Sequence, residues 1–200
     1  MSKRDWTVAK SETVGFAPDL ALKVEGMFWQ GDQDQPGLSV LIAGCSNNST
    51  GPSQTTTSTF TVPLTAANEV PPTVNADAGA TGTAVIVLTI ARDNSGTITS
   101  ATADFQISVA GFPPGTIVTD AHIHNAAVGV AGGVYVAPGL TVGELVLTNA
   151  GGTVTKSGIN VPADKAAAIL NDPTGFYFNV HTALNPNGAI RGQLSAPVVY

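Results

Sequence analysis

Cysteine is almost absent from this 200-residue chain: Cys45 stands alone, so no intrachain disulfide can form. Charge is scarce too, at 11%, with Lys and Arg totalling 8 against 14 acids. A helical bundle needs far more Glu, Lys and Arg to clothe its solvent faces, so this composition argues against one. The net charge of −6 and the shortage of basic residues exclude a nucleic-acid partner, which demands a cationic face to displace counterions. They equally disfavour electrostatic docking on an anionic membrane. No Gly-x-Ser-x-Gly nucleophile elbow occurs, and no pair of carboxylates suggests a shared acid–base site. Both tryptophans, Trp6 and Trp29, and both methionines precede Cys45, and none follows it. That break marks a boundary.

Before the boundary, Gly37-Leu-Ser-Val-Leu-Ile-Ala-Gly-Cys45 resembles the end of a bacterial lipoprotein signal. Such a signal ends in small residues ahead of a lipidated cysteine, which makes Cys45 the expected lipidation site and 1–45 a leader. Upstream, Asp32 and Asp34 stand where a basic segment and a longer apolar run belong. One reading of residues 1 to about 36 is a mis-called start or a frameshift that has lost the true signal; the alternative is that Ile42-Ala-Gly-Cys45 is a chance match in a disordered leader. From Ser46 to Ser58 the chain offers nothing apolar to bury, so 46–58 is expected to be a flexible tether.

Abundant glycine (22) and proline (13) punctuate what remains, with apolar residues at 43%. From Thr59 to Ala196 the pattern is that of strands. Thr59-Phe-Thr-Val-Pro-Leu64 suits an edge because of Pro63, and Gly82–Ala91 is rich in β-branched residues. Along 97–109, Ala101, Ala103, Phe105, Ile107 and Val109 share one face. Further strands are expected near 117–124, 133–137, 143–148, 153–159, 175–182 and 189–195. One short helix is expected near 162–171, opened by Pro162 and stopped at Asn171-Asp-Pro173. Eight or nine short strands with one helix make an all-β Greek-key sandwich or barrel, a single domain over 59–196.

All three histidines lie in two short segments. In Asp120-Ala-His-Ile-His124 the period of two puts Asp120, His122 and His124 on the face away from the core, with Ala121 and Ile123 on the core side. In the hairpin, Phe176, Phe178 and Val180 alternate inward, leaving Tyr177, Asn179 and His181 outward. Across the turn Asn185-Pro-Asn-Gly188, Ile190 and Leu194 point inward and Arg191 outward, near His181. The expectation is one surface site. Three imidazoles suit copper, zinc, iron or nickel, copper(II) most tightly, and Asp120 is placed to orient one ring. The alternative is structural, with the rings bonded to loop carbonyls and Arg191 paired with Asp120 or a carbonyl to hold the hairpin.

Three segments resemble the CHRD (chordin) domain family. They are Leu64-Thr-Ala-Ala-Asn-Glu-Val-Pro-Pro72; Ala121-His-Ile-His124 with Gly129, Gly132 and Gly133; and Tyr177–Thr182 followed by Asn185-Pro-Asn-Gly-Ala-Ile-Arg-Gly-Gln-Leu194. Asn125 departs from the family's usual Gly, and Ala189 from its frequent acid. The resemblance implies an extracellular β-rich module without an established catalytic activity. Such a module, surface-tethered, would bind a protein or matrix component or play a structural part. The order His-x-His, late Val-His, Gly-rich turn and Arg is similar, more distantly, to the Cu/Zn superoxide dismutase sandwich. That likeness implies copper on His122, His124 and His181 and an anion-steering role for Arg191, although no zinc cluster or bridging histidine is present. It makes the alternative function a copper-binding protein, and any enzyme a copper-dependent oxidoreductase. Asn68 and Glu69, in the first family segment, read as turn and cap formers.

Overall fold

The computed structural model describes residues 54–200; Cys45, the leader and most of the expected tether lie outside the described residues. In chain order the elements are β1 (Gln54–Thr65), β2 (Thr81–Arg92), β3 (Ile98–Ala110), β4 (Thr116–Asn125) and β5 (Gly133–Val136). There follow β6 (Leu145–Leu147), β7 (Gly152–Val161), the helix α1 (Ala163–Asn171), β8 (Phe176–Thr182), β9 (Ile190–Gln193) and β10 (Val198–Val199). The ten strands form one antiparallel sheet nearly closed into a barrel, in the order β5-β4-β8-β9-β1-β2-β3-β7, with β6 paired to β4 and β10 to β1. The chain crosses from β3 to β4 at the other end of that order, between β5 and β8, and β9 comes back beside β1. These long crossings are of Greek-key type.

Period-two alternation builds the core. Phe60, Val62 and Leu64 of β1, Ile86, Leu88 and Ile90 of β2, and Ala101 through Val109 on alternate positions of β3 all face inward. Phe178 of β8 meets Phe105 at 6.1 Å between ring centres. Burying one such side chain is worth about 1.5–3 kcal/mol against leaving it in water, so this face holds the sheet in register. The helix runs from Ala163, after Pro162, to Asn171, and buries Ala166 and Ile169 against the barrel.

Two boundaries differ from the sequence reading. Residues 54–58 continue β1 instead of belonging to a tether, with Thr55–Ser58 paired to Ala91–Leu88 of β2 and Ser58 also to Val199. This extension is held by backbone bonds and needs no apolar side chain. The tenth strand is two residues long, too short to leave any alternation. Strand β1 is not the edge that Pro63 suggested: it lies between β9 and β2, and Pro63 falls between the β10 pairs at Ser58 and Thr59 and the β9 pair Thr65↔Arg191, where its missing N–H breaks no ladder bond.

Candidate metal site

Strands β4 and β8 run side by side, and their register decides the site. Asp120 lies opposite His181, His122 opposite Asn179 and His124 opposite Tyr177. A register shift between Val118 and Asp120 sets this phase, one residue off the pairing that precedes it. All six side chains consequently share the face away from the core. The rings gather: His122 to His124 is 5.1 Å between centres, His122 to His181 4.7 Å and His124 to His181 5.7 Å. One nitrogen from each ring lies within 4.8 Å of the others.

The expected surface exposure is not what forms. His122, His124 and His181 are buried, at 8%, 7% and 6% exposed. The outer face is roofed by a strap, residues 126–132 between β4 and β5, and flanked by the 183–188 turn. Three side chains of the face hold the strap. Gln193 donates from Nε2 to the Ala126 carbonyl at 2.9 Å, Arg191 from Nη1 to the Val130 carbonyl at 3.0 Å, and the Gly132 amide donates to the Tyr177 hydroxyl at 3.2 Å. Gly132 is required there, because a Cβ would run into the Asn125 carbonyl.

The hydrogen bonds assign the tautomers. His122 Nε2 lies 2.7 Å from Asp120 Oδ2, His124 Nδ1 is 2.9 Å from the Gly132 carbonyl, and His181 Nδ1 is 3.0 Å from the Pro186 carbonyl. Each partner only accepts, so each of these nitrogens carries the proton. The remaining three, His122 Nδ1, His124 Nε2 and His181 Nε2, then turn bare lone pairs toward one another. Two of them stand 3.2 Å apart, and His181 Nε2 is buried with no partner at all. Burial lowers the His181 pKa to about 4, helped by the neighbouring His122 and opposed by the Pro186 carbonyl. Burial also lowers His124, against the pull of the Gly132 carbonyl. Converging neutral imidazoles are the ligand form for a metal ion.

Asp120 is where a ring-orienting carboxylate belongs, and its side chain is 43% exposed at the rim. Arg191 is 3% exposed, its guanidinium stacked 3.6 Å from the centre of the Tyr177 ring. Of the two roles read for Arg191, its contacts are those of the holding role; a guanidinium so enclosed faces no incoming anion. Glu69 is the turn and cap former expected, and something more. Its amide does close the preceding turn onto Ala66, but its carboxylate is buried beside Asn179 and Gly188. Asn179 Nδ2 approaches Glu69 Oε2 at 3.5 Å, while Glu69 Oε1 and Asn179 Oδ1 lie buried without partners. Desolvation lifts the Glu69 pKa to about 7 against the lowering effect of Arg191. Tyr177 and Asn179 were placed on the right face by alternation, but nothing in their spacing marked them as parts of the site.

The CHRD domain family model matches residues 60–194. No curated protein and no solved structure matches the chain.

Proposed function

Because this chain belongs to the CHRD domain family, we propose that it is a binding module whose own ligand is a copper ion held by His122, His124 and His181. Family membership supports a binding or structural module in general, and the site supports the ion. One observation carries the reading: three buried imidazole nitrogens converge, each on a ring whose other nitrogen bonds a carboxylate or a carbonyl, and His181 Nε2 among them has no partner. Nitrogens so placed repel unless a proton or a cation lies between them. Nitrogen-only ligation without a thiolate fits copper, which heads the affinity order for divalent ions at imidazole sites.

Bound copper supplies a one-electron couple, and the surrounding residues favour holding the ion over turning over an anion. Asp120, at the exposed rim, sets a negative charge on the approach, and the chain as a whole carries −6. A superoxide ion would meet like charge with no exposed guanidinium beside it. We place the module outside the cell, at a bacterial envelope, with Cys45 as its lipid anchor and a protein or matrix component as partner. CHRD domains occur in extracellular proteins, and no helix among the described residues is long and apolar enough to cross a membrane. Labelled fatty acid carried by the wild type and lost in Cys45→Ser tests the anchor.

Calorimetric titration of the full chain with copper(II) and zinc(II) at neutral pH tests the metal reading. One equivalent of copper at submicromolar strength, abolished by His181→Ala, is expected. A wild type that takes up neither ion overturns it. A second reading, docking of a partner without metal, draws on the solvent-facing Val128 and Val130 of the strap and Val134 of β5; it stands alone if the titration is blank.

A further inference from the structure

The metal proposal uses three histidines and Asp120, leaving the stack beside them unexplained. Tyr177 lies 4.8 Å from His124 with only 5° between the ring planes. Because β4 and β9 flank β8 on its two sides, Arg191 reaches the other face of the same ring. The Tyr177 hydroxyl meanwhile accepts from the Gly132 amide at 3.2 Å and faces the Gly132 carbonyl at 3.5 Å. That carbonyl is the acceptor for His124 Nδ1. Tyr177 therefore touches His124 twice, once through its ring and once through the peptide that fixes the imidazole proton.

We propose that Tyr177 is the positioning residue of the site: clamped between His124 and Arg191, it fixes the strap peptide at Gly132 and thereby the ring plane and tautomer of His124. This rests on the metal reading and names the residue that presets its geometry. The chemistry is that of an outer partner steering a ligand. A carbonyl held at a set angle keeps the proton on Nδ1 and leaves Nε2 free to bind. Arg191 contributes at both points, by stacking on the tyrosine ring and by holding the Val130 carbonyl of the same strap. Gln193 anchors only the far end, at Ala126, and touches neither Tyr177 nor His124 through any hydrogen bond or ring contact seen among the described residues.

Three single variants of the full chain separate these contacts. Tyr177→Phe keeps the ring and removes the hydroxyl, Tyr177→Leu removes both, and Gln193→Ala loosens the strap elsewhere. Copper affinity is expected to fall about tenfold in Tyr177→Phe and further in Tyr177→Leu, the size usual for an outer partner of a ligand. Stoichiometry stays at one, and Gln193→Ala, which frees the strap at Ala126, should weaken copper less than Tyr177→Phe does and leave the His124 tautomer as in wild type. The copper(II) electron paramagnetic resonance spectrum should change in both tyrosine variants, a shift that lost stability alone would not produce. Nitrogen-15 shifts of the His124 ring in metal-free protein give a readout that needs no metal. Wild type should show one Nδ1-protonated form, and Tyr177→Phe a mixture of tautomers. Wild-type copper binding with an unchanged spectrum and unchanged tautomer in Tyr177→Phe overturns this inference and leaves the metal site standing. No copper binding by wild type overturns the metal reading; a mixed His124 tautomer in Tyr177→Phe would then still support the positioning role, and a single one would end it.

Discussion

At the scale of single residues, the outer face stores polar groups in unusual states. Glu69 has its pKa raised from 4.5 to about 7, burial being the main cause. The folded chain thus keeps a proton that the unfolded chain releases between those two values. With more protons bound in the native state, stability falls as pH rises through that window, and the loss is complete above about 7. A protonated Glu69 could donate toward Asn179 Oδ1, serving the two oxygens that otherwise lack partners. Glu69→Gln should remove this slope: in metal-free protein, urea midpoints at pH 5 and 7.5 should lie closer together in the variant than in wild type. Equal spacing in the two proteins would mean that Glu69 is ionised throughout. Asp120 offers the complementary test. Its carboxylate holds the His122 ring by a charge-assisted bond of 2.7 Å. Asp120→Asn should keep one copper per chain while weakening it about tenfold, and a titration giving wild-type affinity would remove Asp120 from the site.

At the scale of elements, β9 is the piece on which the others depend. Its four residues pair with β8 over Tyr177–Val180 and reach β1 at Thr65, so it joins the histidine-bearing strands to the long β1–β2–β3 sheet. It passes so close to β1 that a Cβ on Gly192 would collide with the Pro63 carbonyl and come within 2.9 Å of the Val62 side chain. Backbone cannot move aside as a flexible side chain can. Gly192→Ala should cost about 3 kcal/mol of stability, read as a lower urea midpoint with unchanged slope; a midpoint within error of wild type would show that β9 is free to shift. Such close approaches explain where the sequence was readable and where it was not. Strands β2 and β3 announced themselves because each buries one face, the print of a half-buried sheet, while β4 and β8 alternate in residue type although both of their faces are buried around the histidines. Residues 54–58 gave no such print, being a Thr- and Ser-rich extension held by the ladder. The phase of the histidines was legible for the same reason as the strands. Their burial was not, since the cover comes from the strap and the 183–188 turn, whose course depends on Gln193, Arg191 and Tyr177 far along the chain. The burial of the Glu69 carboxylate was not legible because Glu69 lies 110 residues from Asn179, and no local spacing connects them.

At the scale of the whole molecule, the site joins segments that are distant in sequence: β4 and its strap on one side, β8 and its turn on the other. A ligand that binds only when these are assembled stabilises the entire barrel, because the unfolded chain does not hold the three imidazoles together. Copper at one hundred times its dissociation constant should add about 2.7 kcal/mol. For a domain of this size that raises the melting temperature by roughly 5–10 °C. The gain should vanish with a chelator and be absent in His181→Ala, whose fold retains the core of Phe105, Phe178 and their neighbours. The zinc series should follow the same order with a smaller shift, given the lower place of zinc in the affinity sequence. Differential scanning calorimetry of wild type and His181→Ala, each with copper and with chelator, makes the comparison. Equal melting temperatures for wild type in both conditions would show that the converging nitrogens bind no copper. A proton between His122 Nδ1 and His124 Nε2, 3.2 Å apart, would then be what holds the rings together.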